Sequence, residues 1–233
     1  MKGEKEMKKI IAIVLAVTLV AMLGATGVFA QENPNASAKA TAQIAELEVI
    51  SESQTVSDED PDWDTDLDWT LATNILSQTI KTANDKDLFI DVSLLSGLYT
   101  ETNVKSKGGN KDTSAAVAAV LLKVEVDGQE AFPGWIIYNG RVQVLSATLQ
   151  GILEDGVVVG YEEIGLIIGT LSANSFNFIV DDLDAGMHTV EVSALCVTFA
   201  ASQAGSAEAK AVIGLGSVTI EEVRMVKGED AII

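Results

Sequence analysis

The 233-residue chain carries 34 acidic against 15 basic residues, a formal charge of −19 at neutral pH, with one cysteine and one histidine. So acidic a surface repels nucleic acid and anionic membranes, which excludes nucleic-acid binding as an expectation. A lone cysteine forms no internal disulfide, and any Ser-His-Asp triad or histidine-bearing zinc site would have to include His188.

The N-terminus reads as an export signal. Lys2, Lys5, Lys8 and Lys9 precede an uncharged stretch over residues 10–30 that ends in Val28, Phe29 and Ala30. Small residues at the last and third-last positions fit signal-peptidase cleavage, so residues 1–30 are expected to be a signal peptide and the protein secreted, extracellular or at the cell surface. The apolar run is 21 residues, long enough to span a bilayer, so membrane contact is expected only if the helix stays uncleaved. Residues 1–30 hold four lysines and two glutamates, so the mature formal charge becomes −21.

Residues 31–68 are rich in Ala, Ser, Glu, Gln and Thr, with few large apolar side chains. Such a composition buries too little surface to offset ordering entropy, so an acidic flexible tail is expected. It holds the sequon Asn35, Ala36, Ser37.

The tail ends in "SDEDPDWDTDLDW", with an aspartate at every second position from Asp62. An EF-hand loop counted from there has Leu67 where the turn glycine belongs and Thr73 where the bidentate glutamate belongs, so it is excluded. As an extended segment, Asp62, Asp64, Asp66 and Asp68 point one way and Trp63, Thr65, Leu67 and Trp69 the other. Carboxylates about 7 Å apart either face water or share a weakly bound calcium ion, the one cofactor the sequence admits. The tryptophans then anchor the tail to the domain, or dock it on a neighbouring subunit as a donated strand.

From Trp69 to residue 233 short apolar or alternating runs are separated by Gly, Asn and Asp. In "DLFIDVSLLSGL", Leu88, Ile90, Val92 and Leu94 share one face. "AAVAAVLLKVEVDG" begins like a helix but ends alternating, and reads as a strand closed by a turn at Asp127 and Gly128. "VVVGYEEIGLIIGTLSAN", with Ile164, Ile167, Ile168 and Leu171 at helical spacing, is the one expected helical insertion. About eight strands with frequent turn signals predict an all-β, two-sheet antiparallel sandwich, jelly-roll-like or immunoglobulin-like.

The segment "DLDAGMHTVEVSA", with Leu183, Gly186, His188, Thr189, Val190 and Val192, resembles the turn-into-strand segment of extracellular β-sandwich modules. The wider texture from "KDLFIDVSLLSGLYTET" to "GSVTIEEVRMVKGED" is similar to that of a group of secreted proteins with no assigned activity. The resemblance implies a shared sandwich and no chemistry.

No catalytic residues are expected. His188 lies just inside a turn-to-strand junction and reads as a structural hydrogen-bonding group, and Cys196 as a buried, inert thiol. The acidic pairs follow from composition. Trp135 and Tyr138, close to Phe132, form a small aromatic cluster that packs in the core or stacks on sugar rings. Together with Trp63 and Trp69 they are the candidate contacts to a ligand or partner. Lys105, Lys107 and Lys111 are the one basic cluster, able to attract an acidic tail.

The expectation is a non-catalytic structural or adhesive surface protein. Alternatives are a glycan- or ligand-binding module and a calcium-dependent assembly protein. Expected partners are the chain itself, other surface proteins, or a glycan.

Overall fold

The computed structural model describes residues 40–45, 50–51, 54–55, 67–83 and 86–224. The expected signal peptide and Asp62, Trp63, Asp64 and Asp66 lie outside them. Thirteen strands follow in chain order: β1 Ala40–Ala45, β2 Ile50–Ser51, β3 Gln54–Thr55, β4 Thr73–Thr82, β5 Lys86–Ser106, β6 Lys111–Val126, β7 Gln129–Glu130, β8 Ile136–Thr148, β9 Ile152–Glu154, β10 Val157–Gly160, β11 Glu162–Leu183, β12 Gly186–Ser202 and β13 Ser206–Val223. Among the described residues the only helical piece is a 3-10 turn at Trp69–Leu71.

Eleven of these strands form two packed sheets, and β9 and β10 pair with each other in a separate hairpin. The first runs β1-β13-β5-β11, with β2 also on β13; in the second β12 and β6 are central, flanked by β4 and β3 on one side and β8 and β7 on the other. Pairing is antiparallel except for the short β3–β12 contact. The all-β sandwich read from alternation is the fold found.

The expected helix is instead β10 and β11, and the about eight strands expected from Trp69 onward become ten, β4 to β13, among the described residues. Among the described residues the 22-residue β11 pairs along its length with β5 alone, apart from an isolated bridge between Ile179 and Phe132, and its side chains are mostly exposed. On an edge covered on neither face, apolar residues need not alternate, so helical spacing arose without a helix. β-Branched Val157, Val158, Val159, Ile164, Ile167 and Ile168 favour the extended chain.

Part of the expected flexible tail is also strand. β1 pairs with β13 from Ala40 opposite Glu221 to Ala45 opposite Gly216. Ile44 is 79% exposed, so β1 buries little. It is held by main-chain bonds along the β13 edge and by side-chain links to β4: Gln43 Oε1 accepts from Ser77 N at 2.9 Å and Thr41 Oγ1 from Gln78 Nε2 at 2.8 Å. Composition measures side-chain burial and is blind to an edge that needs pairing.

Leu88, Ile90, Val92 and Leu94 of β5 and Val218 and Ile220 of β13 meet Val120, Leu122 and Val124 of β6 and Val190 and Val192 of β12 in the central core. A second apolar layer lies on the reverse of β6 and β12: Val117, Leu121, Leu195, Val197 and Phe199, with Leu67, Trp69, Ala72 and Trp135 packed on it. β6 is therefore buried on both faces, which explains its unbroken "AAVAAVLL" run. Asp127 and Gly128 form the expected tight turn with positive φ at both residues (51° and 80°), the mirror-image geometry that suits hairpins.

Candidate functional site

Trp69 and Trp135 come together. Their ring centroids are 6.5 Å apart at an interplanar angle of 48°, and both are half-buried on the reverse of the second sheet. Lys123 Nζ lies 5.4 Å from the Trp69 ring centroid, in cation–π range. Trp69 thus anchors the segment before β4, as the alternating pattern suggested.

Asp68 caps the 3-10 turn. Its Oδ1 accepts from Thr70 Oγ1 at 2.6 Å and Thr70 N at 3.0 Å. Those two bonds, the hydroxyl first, hold its pKa below the ordinary aspartate value. The described residues contain no group of three or more side chains able to hold a metal ion.

Tyr138 is not on the surface. β8 shifts register against β6 between Val120 and Leu121, so Asn139 pairs with Val120 and Ile137 with Leu121 while Tyr138 is the extra residue. Such a bulge re-aims its side chain, here between the sheets, where Tyr138 is 9% exposed. Its hydroxyl accepts from Leu94 N at 2.8 Å and donates to the Asn174 carbonyl. As a ligand contact Tyr138 is corrected: it ties β8 to β5 and β11.

His188 has partners on both ring nitrogens. Nδ1 lies 2.7 Å from Asp127 Oδ2 and Nε2 2.9 Å from the Asp184 carbonyl. Asp127 Oδ1 accepts from Thr189 N at 2.8 Å, so carboxylate and imidazole together lock the β6 turn to the start of β12. Burial pushes the Cys196 thiol up to about 12, so it carries no thiolate at neutral pH.

The side of the sandwich between β8 and β11 was not foreseen. Arg141 Nη1 donates to the Ile168 carbonyl at 2.8 Å, and Gln143 Nε2 donates to the Leu166 carbonyl at 3.0 Å and to Thr102 Oγ1 at 2.8 Å. β8 thus caps outward carbonyls of β11 with side chains, a way of guarding an edge without another strand. The strands on either side of this polar seam expose an aliphatic band that runs over both sheets: Val142 and Val144 of β8, on the reverse face of the second sheet with Val117 and Ala115; Ile152, Leu153 and Val157 of the β9–β10 hairpin; and Ile164, Leu166, Ile167 and Leu171 of β11 in the first sheet. Val142 and Leu171 are each 61% exposed and Val157 64%. The clue in the sequence was the stretch 164–180, free of charge in a chain of −19; its first half was read as a helical insertion, which hid its meaning.

No family model matches the chain, and no curated protein matches it. Among solved structures it is similar to a mutant VP2 protein of infectious bursal disease virus in derived T=1 particles, at 10% identity and a TM-score of 0.21. A structure of the Gx strain of the same virus matches at 10% identity and a TM-score of 0.13. These alignments cover 86% of the chain but only 40% and 45% of the viral chains.

Proposed function

We propose that this chain is a non-catalytic structural or adhesive protein of the cell surface or extracellular space that associates, in the first place with itself, through the aliphatic band along β8, β9–β10 and β11. The supporting observation is the band. Soluble monomers rarely leave contiguous apolar patches of more than a few hundred Å² in water, and larger ones mark association surfaces. Here exposed aliphatic residues flank the edge of the sandwich formed by β8 and β11 on both sheets: Val142 and Val144 beside Val117 and Ala115 on the outer face of the second sheet, Ile167 and Leu171 opposite Glu101 and Gly97 on the outer face of the first.

The test is the mass of the chain in solution. Wild type is expected to sediment above its 24.5-kDa monomer mass. A Val142→Ser, Val144→Ser, Leu171→Ser variant should fold with stability within about 1.5 kcal/mol of wild type, about 0.5 kcal/mol for each of three surface sites, and sediment as a monomer. Wild type that stays monomeric at about 100 µM defeats the reading, because that concentration detects contacts weaker than most specific interfaces.

Glycan binding has one favourable observation of its own, the pair of half-buried indoles at Trp69 and Trp135. Quenching or blue-shift of tryptophan fluorescence by oligosaccharides, lost in Trp135→Ala, would support it.

A further inference from the structure

β1 and β11 are the two edges of the first sheet. At the β1 side, the edge of β13 is covered by β1 along residues 216–221 and by β2 at Val212 and Ile213. β3 then pairs Gln54 and Thr55 with Val197 and Thr198 of β12, on the second sheet. Pieces of the N-terminal segment thus cover the side of the sandwich away from the aliphatic band.

That cover is lightly held. Thr41 and Gln43 are half-buried while Ala40, Ala42 and Ile44 are exposed, and among the described residues the central core takes no side chain from β1. Gln78 Nε2 of β4 donates to the Ala42 carbonyl at 3.3 Å as well as to Thr41. β2 and β3 are two residues each. Without them β13 presents a row of main-chain donors and acceptors, the kind of edge that recruits another strand.

The partners of this contact are also uncharged. Residues 40–45, 73–80 of β4 and 211–220 of β13 hold no Asp, Glu, Lys or Arg, and charge enters the β1–β13 ladder only at Glu221, opposite Ala40.

We propose that β1 is an exchangeable strand, and that between closely packed copies the 40–45 segment of a second copy pairs with β13 in its place. The fit of this occupant is given by the structure: a second copy carries the same six residues and makes the same bonds in the same register. A chain of −19 repels its own copies wherever acid meets acid, and a main-chain ladder of uncharged residues is the contact that this repulsion touches least. The connection is long enough for it. Residues 56–66, outside the described residues, join β3 to Leu67, and a stretch of that length spans at most about 36–40 Å.

Identical bonds form within a chain and between chains, so exchange changes the bonding energy little and concentration decides. A tethered strand has an effective concentration of about 1 mM, so copies keep their own β1 at about 0.1 mM and exchange it when packed more densely. The contact lies away from the aliphatic band and does not depend on it.

Two full-length variants test the exchange, Ala42→Cys and Thr219→Cys, a cross-strand pair in the observed register. The native Cys196 is buried and takes no part. The two variants are mixed, mildly oxidised until the yield is constant, digested and analysed by mass spectrometry. At about 2 mM a disulfide joining position 42 of one copy to position 219 of the other is expected, and at about 0.1 mM its yield should be at least about fivefold lower. Ala42→Cys mixed with a chain carrying Ser175→Cys, exposed on β11, measures random collision. A 42–219 yield no higher than that control overturns the exchange. A double variant, Ala42→Cys with Thr219→Cys, oxidised while dilute, ties β1 to its own chain. Concentrated with the untied single variants, it should give no 42–219 link between copies, and links that persist would overturn the assigned register. If the link fails to form while wild type still sediments above its monomer mass, the band stands and the exchange fails. If it forms while wild type stays monomeric at about 0.1 mM, the exchange stands and the band fails.

Discussion

Asp127 and His188 are 61 positions apart in sequence yet share a bond of 2.7 Å. Burial pushes the pKa of Asp127 up, but the Thr189 N–H and His188 outweigh it and leave the carboxyl below its ordinary value of 3.8. A folded-state pKa below the unfolded one means that the stabilisation is complete above about pH 4 and is lost as pH falls through the folded value. Asp127→Asn removes the titration. The variant should melt earlier than wild type at pH 7, by about 1 kcal/mol given the half-exposed carboxylate, and lose less stability on acidification. Melting curves from pH 7 to pH 3 measure both, and parallel acid limbs for the two proteins would show that Asp127 does not contribute. The sequence placed His188 at a turn-to-strand junction, which was enough to read it as structural. Asp127 was legible as a turn residue only, because the partnership depends on two strands meeting. For Tyr138 the sequence left core packing and sugar stacking open for a related reason: a one-residue bulge turns its ring inward, and alternation cannot show where a register slips.

Strands that bury one face were legible, as β5 shows, and β6 was legible through its alternating end. β11 was not. Period carries information only where one face is dry and the other wet, and β11 has neither face consistently covered. The first sheet also contains a close approach that no pattern announces. Gly97 of β5 lies opposite Leu171 of β11 and Val212 of β13. A Cβ at Gly97 would come within 2.7 Å of Val212 Cγ2 and 3.4 Å of Leu171 Cδ1. A β-branched valine has few rotamers by which to retreat. Gly97→Ala should therefore destabilise the sheet by about 1–3 kcal/mol, the usual cost of overpacking. Val212→Ala added to it removes the offending methyl and should restore most of the loss, a coupling that denaturant titration of the single and double variants measures. If the double variant loses the sum of the two single losses, the methyl contact is not the cause.

At the scale of the molecule, composition fixes the total charge but not its placement, since carboxylates and ammonium groups far apart in sequence meet only once antiparallel pairing gathers alternate strand ends. Net charge of −19 strains the compact monomer through self-repulsion, whereas association through the aliphatic band depends on apolar burial. Raising ionic strength from about 0.1 M to about 1 M shortens the screening length from about 10 Å to about 3 Å. That range spans the distances between neighbouring surface charges, so repulsion within each copy falls and the melting temperature measured at low protein concentration should rise. The bonds that hold the sandwich are screened little, because the core is aliphatic and the seam between β8 and β11 is hydrogen-bonded, in large part to main-chain carbonyls. Over the same salt series, sedimentation at high protein concentration should show the assembly growing, because repulsion between copies is screened and excluded salts strengthen apolar burial. A melting temperature that falls with salt would mean that ion pairs hold the monomer together. An assembly that shrinks with salt would assign the contact to charge pairs and not to the aliphatic band.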